Sequence, residues 1–138
     1  MKKLLRDLKN YSRKSLDSLQ PYIIGRNKIT LYHGIFNDLM DSEIRAFTDK
    51  KIVDGKAVVI IVNAHNDGIN NNNSPASEPT ATIVVAANES IKEIDCNRIV
   101  KEVAGRGGGK PYFATGMIKI NEASDIVGNI ATLVKNKF

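Results

Sequence analysis

Gly105-Arg106-Gly107-Gly108-Gly109-Lys110-Pro111-Tyr112-Phe113-Ala114-Thr115-Gly116 is the stretch around which the chain is organised. Five of the ten glycines fall inside it, together with two cations, a proline and two adjacent aromatics. Glycine takes positive φ and lets a partner approach the main chain closely, but it loses more freedom on folding than other residues. So dense a run weakens any helix or strand and predicts a loop, with its amides, Arg106 and Lys110 offered to an anion. A flexible turn is the plainer use of glycines; the cations and the Pro-aromatic edge argue for binding. A Walker A loop is excluded, because Ala104 stands where its first glycine belongs and Pro111 follows the lysine. A dinucleotide fingerprint is excluded by context, since a helical pattern precedes the run where a strand should.

The segments on either side decide the rest of the fold. Upstream, Asp95 is placed to cap a helix with Cys96, Ile99, Val100 and Val103 on its apolar stripe. Cys96 then reads as a small core residue, with no base spaced to activate it. Downstream, Met117-Ile118-Lys119-Ile120 reads as a short strand. Ser124 and Asp125 open a last helix with Ile126, Val127, Ile130, Leu133 and Val134 inward and Lys135 and Lys137 at its negative end. Ala57 to Val62 and Ala81 to Ala87 are continuous apolar runs, as in strands covered on both faces. Between them, residues 63–80 hold the Asn70 to Asn73 run, Gly68, Pro75 and Pro79, a long and Asn-rich loop. Ile29 to Tyr32 alternates as a strand. Leu39, Met40, Ile44, Phe47 and Ile52 keep helical spacing, with Asp38 or Asp41 as cap and Gly55 as the turn beyond.

Charge divides the chain. Residues 1–28 carry eight Lys/Arg against two Asp, whereas 29–138 carry twelve against thirteen acids. Lys2, Lys3, Arg6, Lys9, Arg13 and Lys14 surround Leu4, Leu5, Leu8, Tyr11, Leu16 and Leu19, which predicts a basic amphipathic helix to about Leu19. Pro21 stops it, and residues 20–28 read as a linker. A solvated helix face or a transit-peptide-like arm are the other uses of such a segment. The fold class is α/β or α+β: a basic helix over 1–28, then a compact globular body over 29–138 with three or four strands in a mixed sheet flanked by three helices.

Catalysis is argued against by what is missing. One cysteine and the dispersed His33 and His65 build no zinc site of ordinary spacing and no internal disulfide. Neither histidine has an acidic motif beside it, and no metal or cofactor is implied. No apolar run of eighteen residues exists for a membrane helix. The chain by itself is read as a non-enzyme, and its two basic regions are the footprint expected for a phosphate backbone.

From Gly105 to Gly116 the residues resemble the glycine-rich signature of the C-terminal (C-Ala) domain of alanyl-tRNA synthetases. Gly105, Arg106, Gly107, Gly108, Gly109, Lys110, Pro111, Ala114 and Gly116 fit that pattern, while Ala104 replaces a glycine and Thr115 a glutamine. The resemblance covers about 29–138. Related domains close DHH-type phosphoesterases, with a shorter loop in which a histidine stands where Lys110 is. The resemblance implies a fragment of an alanine-tRNA ligase that docks on the tRNA elbow, with tRNA-Ala and the parent's catalytic and editing domains as partners. It implies a cytoplasmic or mitochondrial setting, and it places the basic helix at the end of a helical portion. The residues expected to meet RNA are Arg106, Gly107, Gly108, Gly109, Lys110 and Tyr112, with Lys101 and Lys119 beside them and Arg13 and Lys14 on the helix. Tyr112 is expected outward and Phe113 in the core. Two other readings stay open. One is an interaction module dimerising through Leu5, Leu8 and Leu19; the other is a nucleic-acid-docking end domain of a phosphoesterase.

Overall fold

The structure is a computed structural model that describes residues 2–24, 28–53, 56–64, 80–104 and 106–137. In chain order it runs α1 (Lys2–Asp17), β1 (Tyr22–Ile24), β2 (Ile29–Asn37), α2 (Asp41–Ile52), β3 (Ala57–Ala64), β4 (Thr80–Ala87), α3 (Cys96–Ala104), β5 (Arg106–Lys110), β6 (Phe113–Lys119) and α4 (Ala123–Lys137). A 3₁₀ turn, Ile120–Glu122, leads into α4. The strands form one mixed sheet in the order β1-β2-β3-β4-β6-β5. Only β2 and β3 pair in parallel, across the α2 crossover that parallel pairing requires.

Central strands are uniformly apolar because both of their faces are covered. All eight residues of β3 are buried. Val58, Ile60 and Val62 meet α3 and α4 on one face, in a core with Ile99, Val100, Ile126, Val127 and Ile130. Val59 and Ile61 meet Leu16 of α1 and Ile44 and Phe47 of α2 on the other. Asn63 is the polar exception in this strand, and it is fully buried. Its Oδ1 accepts from Leu39 N–H and its Nδ2 donates to Leu39 C=O, both at 2.9 Å, so both its amide and the loop before α2 are satisfied.

Several expectations change. The sheet has six strands, not three or four. The linker over 20–28 contains β1, whose Tyr22, Ile23 and Ile24 pair with Leu31, Thr30 and Ile29. The glycine run is a strand rather than a loop. Neither Asp38 nor Asp41 caps α2: Met40 is the N-cap and makes no side-chain bond. Instead the Met40 N–H donates to Ser12 Oγ of α1 at 2.9 Å. Asp41 is already helical, where its charge suits the positive end. The basic helix ends at Asp17 and is docked on the body through buried Ser12 and Leu16. Arg13 Nη2 reaches Glu43 Oε1 at 3.4 Å from the same side. Leu19 packs into the second core cluster. His65, the Asn70 to Asn73 run and Gly55 lie outside the described residues, as do the side chains of Leu5 and Leu8.

Candidate nucleic-acid interface

β5 is the outermost strand on its side of the sheet, and three of its five residues are glycine. Gly107, Gly108 and Gly109 have φ of 137°, 146° and 156°, positive values within a strand. L-residues take such values only under strain, and this answers how so many glycines can form a strand. The close approach is as demanding as the dihedrals. A Cβ on Gly107 would stand 2.5 Å from Thr115 O and 2.6 Å from Gly116 Cα; one on Gly109 would stand 2.5 Å from Phe113 O. One on Gly108 would face α3 instead, 2.8 Å from Asn97 Oδ1 and 3.2 Å from Lys101 Cε. The glycines thus let β5 lie between β6 and α3.

The hairpin is pinned at its tip. Lys110 pairs with Phe113, leaving Pro111 and Tyr112 as the turn. Pro111 C=O accepts from Cys96 N–H at 2.8 Å, and Tyr112 C=O accepts from Ala87 N–H at 3.0 Å. Asn97 Oδ1 accepts from Gly109 N–H at 3.0 Å. Asp95 Oδ1 accepts from Arg98 N–H at 3.2 Å, so the cap expected for α3 is present. Cys96 beneath the turn is buried. Burial, reinforced by the Asp95 charge, pushes its thiol up to about 12. Native Cys96 should thus react with a disulfide reagent at pH 8 roughly a thousandfold more slowly than in the unfolded chain, since three pKa units set the thiolate ratio. Above pH 9 the unfolded thiol ionises first, so stability should decline as pH rises from there; a titration of the melting temperature checks the sign.

The expected site residues separate. Arg106 stands opposite Met117 in the ladder. Lys110 Nζ lies 5.6 Å from the Tyr112 ring centroid. Tyr112 is half-buried between two clefts of about 320 and 330 Å³ rather than standing clear of the surface. Phe113 packs against the second core cluster, with the Arg45 guanidinium 4.0 Å above its ring. Lys119 ends β6 and is exposed. Lys101 lies beside Gly108 on α3. Arg13 and Lys14 are on α1, which docks at the β2 end of α2, so they are not brought to the hairpin. Asn97 and Arg45 were not legible as site residues. Asn97 falls one helical turn before Lys101, a spacing that places both on one face of α3; nothing in the sequence links Arg45 to Phe113.

Among the described residues no three His, Cys, Asp or Glu side chains gather as a metal site, and no helix is long and apolar enough to cross a membrane. His33 stacks on Tyr22 at 5.0 Å near the opposite edge of the sheet.

The architecture is a mixed sheet with helices on both faces, ending at one edge in a glycine-rich hairpin. Residues 32–136 match the DHHA1 domain family, and the chain belongs to that family. Its fold is that of the C-Ala domain from Aquifex aeolicus alanyl-tRNA synthetase, with a TM-score of 0.60 and 22% identity over 86% of this chain and 96% of that one. It is shared with a pGpG-specific phosphodiesterase from Vibrio cholerae (TM-score 0.56, 11% identity, 99% of this chain and 43% of that one). It is shared too with an exopolyphosphatase-related protein from Bacteroides fragilis (0.57, 12%, 94% and 35%). The chain spans less than half of each of these last two, and at such identities the likeness is one of fold. No curated protein matches the sequence.

Proposed function

We propose that the chain is a tRNA-binding appended domain of an alanyl-tRNA synthetase, docking on the tRNA elbow while other domains carry out alanylation and editing. The observation that carries this is the glycine hairpin: it keeps the C-Ala motif from Gly105 to Gly116 and sets Arg106, Lys110 and Lys119 on two adjacent strands. The fold supports it, since this chain matches nearly the whole of the Aquifex C-Ala domain. The glycines hold the hairpin together, and the cations meet phosphate. Work on tRNA places the chain in the cytoplasm or a mitochondrion. Any pairing of two chains through α1 would rest on Leu5 and Leu8, since Leu19 is packed within its own chain.

Charge-based binding has a salt signature. With about three to five phosphates neutralised, log affinity for tRNA should fall with log salt at a slope of roughly −2 to −4. Filter binding at a series of salt concentrations measures it. Salt-insensitive binding, or none at low salt, contradicts the proposal. The fold shared with the two phosphoesterase-related proteins favours a second reading, an end domain that docks a short oligonucleotide. A chain that bound a dinucleotide such as pGpG in preference to tRNA would establish that reading instead.

A further inference from the structure

The sheet is covered unevenly. α3 and α4 lie along the first face, and on the second α2 crosses β3 and β4 as far as Phe113. Beyond Phe113 the outward residues of β6 on that second face, Thr115, Met117 and Lys119, are exposed, Met117 by 48%. β6 is an interior strand, flanked by β4 and β5. Both of its pairings are antiparallel, and such strands commonly leave one face to solvent, so what this open half-face can hold is decided by its charge.

Charge says what. β4, β5 and β6 together contain Arg106, Lys110 and Lys119 and no carboxylate. Arg45 bounds the open area on the α2 side. Its guanidinium lies flat on Phe113, and its Nε donates to both carboxylate oxygens of Asp49 at 3.2 and 3.3 Å. Its terminal amino groups make no hydrogen bond among the described residues, so a fork of donors is held in one orientation before any ligand arrives. The α3 side differs. Arg98 is paired with Glu102 as Arg45 is with Asp49, but here the adjoining clefts are lined by Glu89, Glu93 and Asp95 at least as densely as by lysine. A polyanion would find that side neutral or repulsive.

We propose that the phosphate backbone of RNA lies across the open half of the second face, over β6 and β5, with Arg45 as its fixed phosphate grip and Met117 packing beneath a sugar. This rests on the tRNA reading and adds the face and the residue. Lys101, on the α3 side, is then outside the interface.

The test is tRNA binding by the full chain at low salt, with melting temperature recorded for each variant. Arg45→Ala should weaken binding about tenfold, as a lost charge-assisted bond does, and Lys101→Ala less than about twofold. Met117→Glu sets an anion on an exposed position of the face and should weaken binding by about tenfold or more with little change in melting, because no buried contact is removed. It decides the matter if Arg45→Ala also destabilises the fold. Wild-type affinity in Met117→Glu, or a larger loss from Lys101→Ala than from Arg45→Ala, overturns the proposed face while leaving tRNA binding intact. Absence of tRNA binding by the wild type overturns both.

Discussion

Gly107→Ala and Gly109→Ala are each expected to lower stability by about 3 kcal/mol or more, a fall in melting temperature of roughly 10 °C for a chain of this size. Two effects combine. The backbone at both positions has a φ that L-residues occupy only under strain. In addition, the new methyl carbon would meet a backbone carbonyl oxygen at 2.5 Å, Thr115 O in one case and Phe113 O in the other. Neither oxygen can turn aside without breaking the β5–β6 ladder. Gly108→Ala should cost distinctly less, about 1–2 kcal/mol, because only the strain is unavoidable there. Its nearest neighbours, Asn97 Oδ1 and Lys101 Cε, are side-chain ends that can move, although Asn97 then loosens its bond to Gly109. Thermal and denaturant melts of the three variants give the order. Equal losses at all three positions would show that the packing against β6 is not what constrains the strand.

The second large effect is expected at Asn63. Asn63→Leu keeps the side chain's size and removes both hydrogen bonds to Leu39, whose N–H and C=O then remain buried without partners. Leu39 is 4% exposed, so water cannot replace them. Each unsatisfied group costs about 1–3 kcal/mol, for a total loss of about 2–5 kcal/mol. The loop it holds leads directly into Met40, the residue that Ser12 of α1 caps. The seating of α1 should therefore weaken with it, and amide exchange in α1 should quicken relative to β4. A variant as stable as the wild type would mean that the loop finds other partners.

What was legible follows from what each pattern depends on. The apolar runs of β3 and β4 and the stripes of α3 and α4 were plain, because burial on two faces or on one helical face leaves a direct mark on composition. β1 was not, because three residues beside a proline carry no periodicity, and its identity comes from pairing with Ile29, Thr30 and Leu31. β5 was misread for a more instructive reason. Propensity disfavours glycine in strands, yet it says nothing about a strand whose φ values are positive, which other residues adopt only under strain. The close approach of its glycines to β6 and α3 belongs to the folded chain and leaves no mark in the sequence beyond their number. Arg45 could not be found from sequence, since its place over Phe113 joins residues of α2 and β6 that are neighbours only in the fold.

The central claim is that this domain holds tRNA by its elbow, and one comparison tests it most directly. Affinity is measured at low salt for intact tRNA and for a minihelix that keeps the acceptor and TΨC stems but lacks the elbow. The elbow reading predicts that tRNAs of different acceptor sequence bind alike and that the minihelix binds at least about tenfold more weakly, because recognition by shape and backbone is lost with the shape. Equal affinity for the minihelix and the intact tRNA would contradict it.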